Sequence, residues 1–115
     1  MAGYKPHLPE LGADLLREIV RRLVAAGQPQ KIVLFGSRAR GDHRPDSDID
    51  LLVVRESNQP RHKRSVPLYA ALGELPLEVN TEIVVYTPQE VEESRGASMA
   101  FVTTALREGK VIYEE

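Results

Sequence analysis

Residues 31–54 read KIVLFGSRARGDHRPDSDIDLLVV, and this stretch decides the fold of the chain. Its first five residues, 31–35, form a β-branched and apolar run that predicts a strand. The glycine-bounded segment 36–41 interrupts the run and predicts a turn. A second apolar run, residues 47–54, predicts another strand, so the centre of the fold is a pair of strands joined by a polar connection.

Helical and strand patterns extend outward from this centre. A leucine and valine stripe predicts a helix over residues 8–26, and Gly27 and Pro29 are expected to end it. Residues 56–65 are polar and are expected to form a mobile loop. Beyond them the patterns predict a helix at 67–75, a strand at 78–86, helices at 88–95 and 98–108, and a last strand at 111–113.

The N-terminal boundary of the 88–95 helix has its own signature. Thr87, Pro88 and Glu90 match a capping box, with threonine as the N-cap and glutamate at the third helical position. Strands that alternate with helices indicate one domain over residues 1–115 of the α/β (α+β) class. We expect a small mixed sheet flanked by helices.

The composition excludes several classes of protein. A chain of 115 residues can bury one core, which excludes a large multidomain polymerase or kinase. Cysteine is absent, so the sequence has no disulfide, thiolate zinc site or cysteine nucleophile. No apolar run approaches the roughly 20 residues that span a bilayer, and the N-terminus lacks the apolar segment of a signal peptide. These features predict a cytoplasmic protein without a membrane partner.

The charge balance bears on nucleic-acid binding. The formal net charge is −2, whereas proteins that wrap long nucleic acids are usually strongly basic. Aromatic residues make up 5% of the chain, too few to predict a stacking platform for single strands. Direct nucleic-acid binding is therefore disfavoured, although a local basic site stays open.

Two carboxylates stand at the start of the second predicted strand. Asp48 and Asp50 are two residues apart, so in a strand their side chains lie about 6.6 Å apart on one face. Such a pair repels itself unless a cation lies between, and Mg²⁺ suits hard oxygen ligands and substrate phosphates. The alternative is a strand face that meets water. Leu52 and Val54 continue the same face as apolar residues, which places the acids at a strand end, where α/β folds build sites.

The turn after the first strand can hold a phosphate. Gly36 permits a close backbone approach, and Ser37 offers a hydroxyl and an N–H group. Arg38 and Arg40 can neutralise phosphate charge. The segment is neither a Walker A loop nor a G-x-G-x-x-G motif, and a glycine-serine pair alone also fits an ordinary turn.

The combination is more specific than its parts. Gly36-Ser37, ten intervening residues and Asp48-x-Asp50 resemble the signature of the DNA polymerase beta-like nucleotidyltransferase superfamily. The longer string over residues 32–54 resembles the minimal nucleotidyltransferases (MNT), which are small stand-alone domains. This resemblance implies transfer of a nucleoside monophosphate from a nucleoside triphosphate to a hydroxyl, with Asp48 and Asp50 holding two Mg²⁺ ions and Gly36 and Ser37 gripping the triphosphate.

The resemblance also implies a third carboxylate on a neighbouring strand. Members of the superfamily commonly carry aspartate where this chain has Glu82. Strand parity places Glu82 with Val84 and Tyr86 on one face, from which it could act as a metal ligand or a base. Glutamate is one methylene longer, so its oxygens would be placed differently. The alternative is a solvated strand residue.

The resemblance implies a partner as well. MNT proteins are the antitoxin half of pairs whose other half is a helical HEPN protein, often a ribonuclease toxin, and they transfer AMP from ATP to a tyrosine of that partner. Two other hypotheses stay open. The chain could neutralise a HEPN partner by contact alone, or it could modify a small molecule or an RNA end.

One basic segment has no assigned role. Residues 61–64 read Arg-His-Lys-Arg and could contact a nucleotide, RNA or an acidic partner surface. A solvated loop is the favoured interpretation.

Overall fold

The computed structural model describes residues 12–75, 77, 80–96 and 100–115, which fold around a four-stranded sheet. The strands are β1 (Lys31–Phe35), β2 (Ile49–Val54), β3 (Thr81–Tyr86) and β4 (Lys110–Glu114). The helices are α1 (Ala13–Gly27), α2 (Ser37–Arg40), α3 (Arg61–Arg64), α4 (Val66–Leu72), α5 (Pro88–Glu93) and α6 (Phe101–Glu108). Within these residues, none of the helices is long and apolar enough to cross a membrane.

The sheet is mixed. Its strand order is β3-β2-β1-β4, with β1 antiparallel to both of its neighbours and β2 parallel to β3. Parallel neighbours need a crossover connection, and α3 and α4 lie in the connection between β2 and β3. This arrangement confirms the predicted α/β (α+β) class with a small mixed sheet flanked by helices.

Both faces of the sheet are covered, as the sequence of β2 requires. Ile49, Leu51 and Val53 point to one face and are buried with α1 and α4. Leu52 points to the other face and is buried with Val102 of α6. A strand with apolar residues on both faces belongs at the centre of a sheet, because each face must be removed from water.

The described part of the predicted first helix ends one residue later than expected. Gly27 is the last residue of α1, and Gln28 takes the left-handed conformation instead, with φ 46°. Gly27 is used for packing, because a Cβ there would lie 2.8 Å from Leu68 Cδ2 on α4. The predicted residues 8–11 of this helix lie outside the described residues.

The prediction of a mobile loop over residues 56–65 is wrong for its second half. Residues 61–64 form α3, and the side chain of Arg64 is only 10% exposed. Its guanidinium donates to Glu90 at 2.7 and 3.2 Å and to the carbonyl of Gln59 at 2.9 Å. The sequence alone does not reveal this, because the carboxylate lies 26 residues further along the chain.

Glu90 joins that ion pair to the capping box, which the structure confirms. Its carboxylate accepts from the backbone N–H of Thr87, and the threonine hydroxyl accepts from the Glu90 N–H. Arg61 contacts the same carboxylate at 3.3 Å. Hydrogen bonds from Arg64 lower the pKa of Glu90 to about 2, with Thr87 and Arg61 acting in the same direction.

The helices α3 and α4 cover the outer edge of β3. The Ile83 N–H donates to the Tyr69 hydroxyl at 2.8 Å, and Arg64 donates to the Val85 carbonyl at 3.3 Å. Side chains of α3 and α4 thus satisfy backbone groups of an edge strand, which would otherwise be open to pairing with another chain.

The other predicted elements are found with shifted ends. The structure has α4 at Val66–Leu72, β3 at Thr81–Tyr86, α5 at Pro88–Glu93, α6 at Phe101–Glu108 and β4 at Lys110–Glu114. Residues 78, 79, 98 and 99, at the predicted starts of β3 and α6, lie outside the described residues.

We expect Glu90→Gln to lower the free energy of unfolding at pH 7 by about 1–3 kcal/mol, because Arg64 would lose its ionised partner. The pKa of Glu90 is lower in the folded chain than the ordinary value of 4.5. Its stabilising effect is therefore complete above that value and declines as the pH falls toward 2. Urea unfolding of the unaltered protein and of Glu90→Gln between pH 7 and pH 3 measures this effect. The difference between their free energies of unfolding should become smaller toward pH 3.

Glu92→Gln is the matched control for this prediction. Glu92 lies on the same helix and pairs with Arg95, but both side chains are mainly exposed. Exposed pairs contribute little, so this variant should change stability by less than about 0.5 kcal/mol. Equal effects at positions 90 and 92, or a difference that does not vary with pH, would contradict the role given to Glu90.

Candidate functional site

The register of the sheet brings two of the predicted carboxylates together. Asp50 is the second residue of β2, and Glu82 is the second residue of β3. The parallel register pairs these two positions directly, so both side chains share one face. The prediction of a strand over residues 47–54 is wrong for its first two residues: Asp48 is exposed and lies one residue before β2.

The glycine of the motif packs against Asp50. The antiparallel register pairs Asp50 with Phe35, the last residue of β1, and Gly36 follows immediately. A Cβ on Gly36 would collide with Asp50 Oδ2 and lie 3.2 Å from Cγ. Gly36 also has φ 78° and ψ −157°, a backbone region open essentially to glycine alone. Glycine is therefore required here both for conformation and for space.

The sequence predicts that Ser37 lies in a turn. In the structure, Ser37 instead begins α2. The N–H groups of Ala39 and Arg40 both donate to the Gly36 carbonyl at 3.1 Å. The short helix ends at Gly41, which has φ 86°. The structure thus places Ser37 at the end of β1, next to the residue that contacts Asp50. Its predicted contact with a phosphate stays a prediction.

Arg38 is held by the protein itself. Its guanidinium donates to the Ser47 carbonyl at 3.0 and 3.1 Å and to the Pro45 carbonyl at 3.3 Å, and the residue is buried. These bonds hold the segment that leads into Asp48. Sequence reasoning missed this positioning role, because carbonyl acceptors leave no signature in the sequence. The predicted contact of Arg38 with phosphate stays a prediction.

Arg40 is placed differently. Its side chain is exposed and forms an ion pair with Asp42, with Nε 3.3 Å from Oδ2. The positive charge of Arg40 also acts to lower the pKa of Asp50, against the stronger opposing effects described next. Arg40 therefore faces solvent near the carboxylates, a position compatible with its predicted phosphate contact.

The electrostatics of Asp50 are unfavourable to its charge. Burial raises the pKa of Asp50 above its usual value of 3.8, and the charges of Glu82 and then Asp48 raise it further. A negative charge held beside two others, and partly removed from water, gains free energy when a cation approaches. The sheet end therefore favours a positively charged or metal-bound ligand.

The donor set fits a hard divalent cation only in part. Among the described residues, no three histidine, cysteine or acidic side chains converge closely enough to hold a metal ion. Asp48, Asp50 and Glu82 thus do not form a three-ligand cage in this conformation. Oxygen donors from one or two carboxylates still fit Mg²⁺, which completes its shell with water and phosphate.

A separate cleft of about 350 Å³ lies at the opposite end of the sheet. It is lined by Gln30, Lys31, Val54, Pro88, Val91, Leu106, Glu114 and Glu115. None of the predicted site residues contributes to it. The predicted site residues Gly36, Asp50 and Glu82 lie at the other end of the sheet.

Comparisons with known proteins identify the family of this chain. The family described as "Nucleotidyltransferase domain" matches residues 14–114. A Methanocaldococcus jannaschii protein named "Putative protein adenylyltransferase MJ0604" is 49% identical over 41 residues, which cover 34% of this chain and 41% of that protein. The matched stretch thus spans about two-fifths of that relative's length.

A solved structure shares the fold. The crystal structure of a "putative nucleotidyltransferase" from Sulfolobus solfataricus superposes with a TM-score of 0.60 and covers 87% of this chain and 78% of its own. The sequence identity is 20%, so the likeness concerns the arrangement of strands and helices.

We expect Gly36→Ala to lower the free energy of unfolding by about 2–4 kcal/mol, because it adds backbone strain and a collision with Asp50. Gly41→Ala should cost about 1 kcal/mol, since a Cβ there meets nothing within 4 Å. Repeating Gly36→Ala in an Asp50→Ala background should recover the part due to the collision. Urea unfolding of the four variants measures these differences, and an unchanged cost in that background would refute the contact.

We expect Glu82→Gln to lower the pKa of Asp50, because it removes the neighbouring negative charge that raises this pKa most. Asp48→Asn should lower it by a smaller amount, since Asp48 contributes less. Carbon-13 NMR titration of the Asp50 carboxyl group measures both shifts. The reverse order of the two shifts, or no shift, would mean that these side chains do not face each other as described.

Proposed function

The chain belongs to the nucleotidyltransferase-domain family, and we propose that it transfers AMP from ATP to a hydroxyl group of a partner protein. The observation that carries this proposal is the contact of Gly36 with Asp50, which lies beside Glu82. It brings the Gly36-Ser37 segment, for which we propose phosphate binding, next to paired carboxylates at one sheet end. The family supports nucleotidyl transfer; the nucleotide and the acceptor are the proposed parts.

The proposed reaction is a substitution at the α-phosphorus. The acceptor hydroxyl oxygen forms a new P–O bond, the bond between the α-phosphorus and its bridging oxygen breaks, and pyrophosphate leaves. The hydroxyl proton passes to a carboxylate, for which Glu82 is the candidate. Ser37 and Arg40 would orient and neutralise the triphosphate, so that positioning and charge supply most of the acceleration.

Mg²⁺ is the proposed cofactor. Asp48 and Asp50 would hold it, and two ions are expected by analogy with the superfamily. When bound, Mg²⁺ would neutralise the phosphates and stabilise the developing charge. The raised pKa of Asp50 supports this assignment, because a nearby cation would relieve the repulsion among the carboxylates.

A protein is the proposed acceptor for two reasons. The M. jannaschii relative carries a name that specifies protein adenylylation, although the match covers only part of it. The resemblance to minimal nucleotidyltransferases favours a HEPN-type ribonuclease toxin, with a tyrosine as the acceptor and this chain as the antitoxin. A phosphodiester on that tyrosine adds bulk and negative charge, which would oppose binding of RNA at a ribonuclease site.

A second candidate is neutralisation by contact alone. Glu82 favours it, because glutamate replaces the aspartate common at this position and the described carboxylates do not form a three-ligand site. In this case the chain would bind or scaffold its HEPN partner with a weak or inactive site.

The decisive measurement is intact-mass spectrometry of this chain and its cognate HEPN partner after incubation with ATP and Mg²⁺. We expect a mass increase of one adenylyl group on the partner, and none with an Asp48→Asn/Asp50→Asn variant. These isosteric changes remove the negative charges while keeping the shape of the sheet end. Neutralisation of the toxin in cells should fail with the same variant.

The contact-only alternative gives a different pattern. The partner would form a stable complex without a mass increase, and the double variant would still neutralise the toxin. The Glu82→Asp variant then tests why transfer is absent. Gain of adenylyl transfer in this variant would show that the site is inactive because the glutamate side chain is longer than that of aspartate.

A further inference from the structure

Three aromatic rings form a cluster on the face that carries the carboxylates. Phe101 of α6 meets Phe35 edge-on, with ring centroids 5.3 Å apart and planes at 81°. It also stacks on Tyr86, with centroids 6.3 Å apart and planes at 29°. Despite these contacts Phe101 is 48% exposed. About half of this large apolar residue is thus open to solvent.

The register places one member of this cluster, Phe35, beside the site, whereas Tyr86 pairs with Val54 at the other end of β2 and β3. Phe35, Asp50 and Glu82 are paired across three neighbouring strands, so their side chains start from one row on one face. Neighbouring strands lie about 5 Å apart, and this spacing separates the backbone of Phe35 from that of Asp50. Phe101 packs on Phe35, which is the aromatic member of this row.

The exposed ring is held in place. Phe35 supports it from one side and Tyr86 from another, and the guanidinium of Arg61 lies 4.4 Å from the Tyr86 ring centroid. Arg61 is in turn paired with Glu90. A ring fixed by its neighbours loses little entropy when a planar group stacks on it, which is the property of a preorganised binding surface.

Resting on the proposed function, we propose that the exposed face of Phe101 stacks on the base of the bound nucleoside triphosphate. The ligand has a flat aromatic end and a polyanionic end, and the site offers an exposed ring next to a turn suited to phosphates. Phe101 is then a residue that positions the nucleoside, and none of the sequence motifs reveals it, because it lies 51 positions after Asp50.

Calorimetric titration with two ligands tests this inference. ATP carries a base, and inorganic tripolyphosphate carries only the phosphate chain; both are titrated with Mg²⁺ and without any acceptor protein. We expect Phe101→Ala to weaken ATP binding roughly tenfold, within the range measured for stacked bases, and to leave tripolyphosphate binding unchanged. Phe101→Trp, which keeps an aromatic face, should retain ATP affinity.

Val66→Ala is the matched control, since Val66 is 60% exposed and lies on α4 at the other face of the sheet. It should leave the binding of both ligands unchanged, and circular dichroism should show all three variants folded. An equal loss of both ligands in Phe101→Ala, or no loss of ATP, would overturn the inference; in the latter case an acceptor side chain becomes the candidate partner of the ring. If the unaltered protein binds neither ligand, the proposed function fails and the inference with it.

Discussion

The contact between the Gly36 backbone and the Asp50 carboxylate is the constraint on which the site depends. It exists because the antiparallel register of β1 and β2 pairs Phe35 with Asp50, so that the chain leaves β1 against that side chain. The parallel register of β2 and β3 then adds Glu82 beside it. Neither register could slip by one residue without moving the acids to the opposite face, where the apolar core lies. The packing of the core therefore fixes the position of the chemistry.

The surroundings of two carboxylates in this fold shift their pKa values in opposite directions. At Glu90, two arginines and a helix cap surround one carboxylate, and its pKa falls to about 2. At Asp50, burial and two neighbouring acids raise the pKa, and the charge of Arg40 opposes them. The charges at Glu90 stabilise the fold, since they join α3 to α5 across the edge of β3. Those at Asp50 leave negative charge uncompensated at the sheet end, an arrangement that favours binding over stability.

The sequence predicts the fold well where one element determines its own pattern. The run of β1 and the capping box at Thr87 are local, and each is found where expected. The alternation of β2 is local as well, but the strand begins at Ile49, two residues later than predicted. The sequence does not predict the helix at residues 61–64, because Glu90, the partner of Arg64, lies on another element. The same reason explains Arg38, whose acceptors are carbonyls of a loop. The sequence does not show whether an arginine side chain contacts a ligand, an acidic side chain or a backbone carbonyl.

The site shows the same division between local and distant determinants. Strand parity depends only on residue spacing, so it groups Asp50 with Leu52 and Glu82 with Val84, but the parallel register is what puts the two acids on one face. The place of Phe101 could not be predicted, because α6 approaches the sheet from a part of the chain with no motif. Its ring is supported by residues of β1 and β3, the strands on either side of β2. The elements that set the carboxylates in place thus also hold the aromatic surface. A change that loosens the sheet end should therefore affect the proposed phosphate and base binding together, whereas a change to Phe101 alone should separate them.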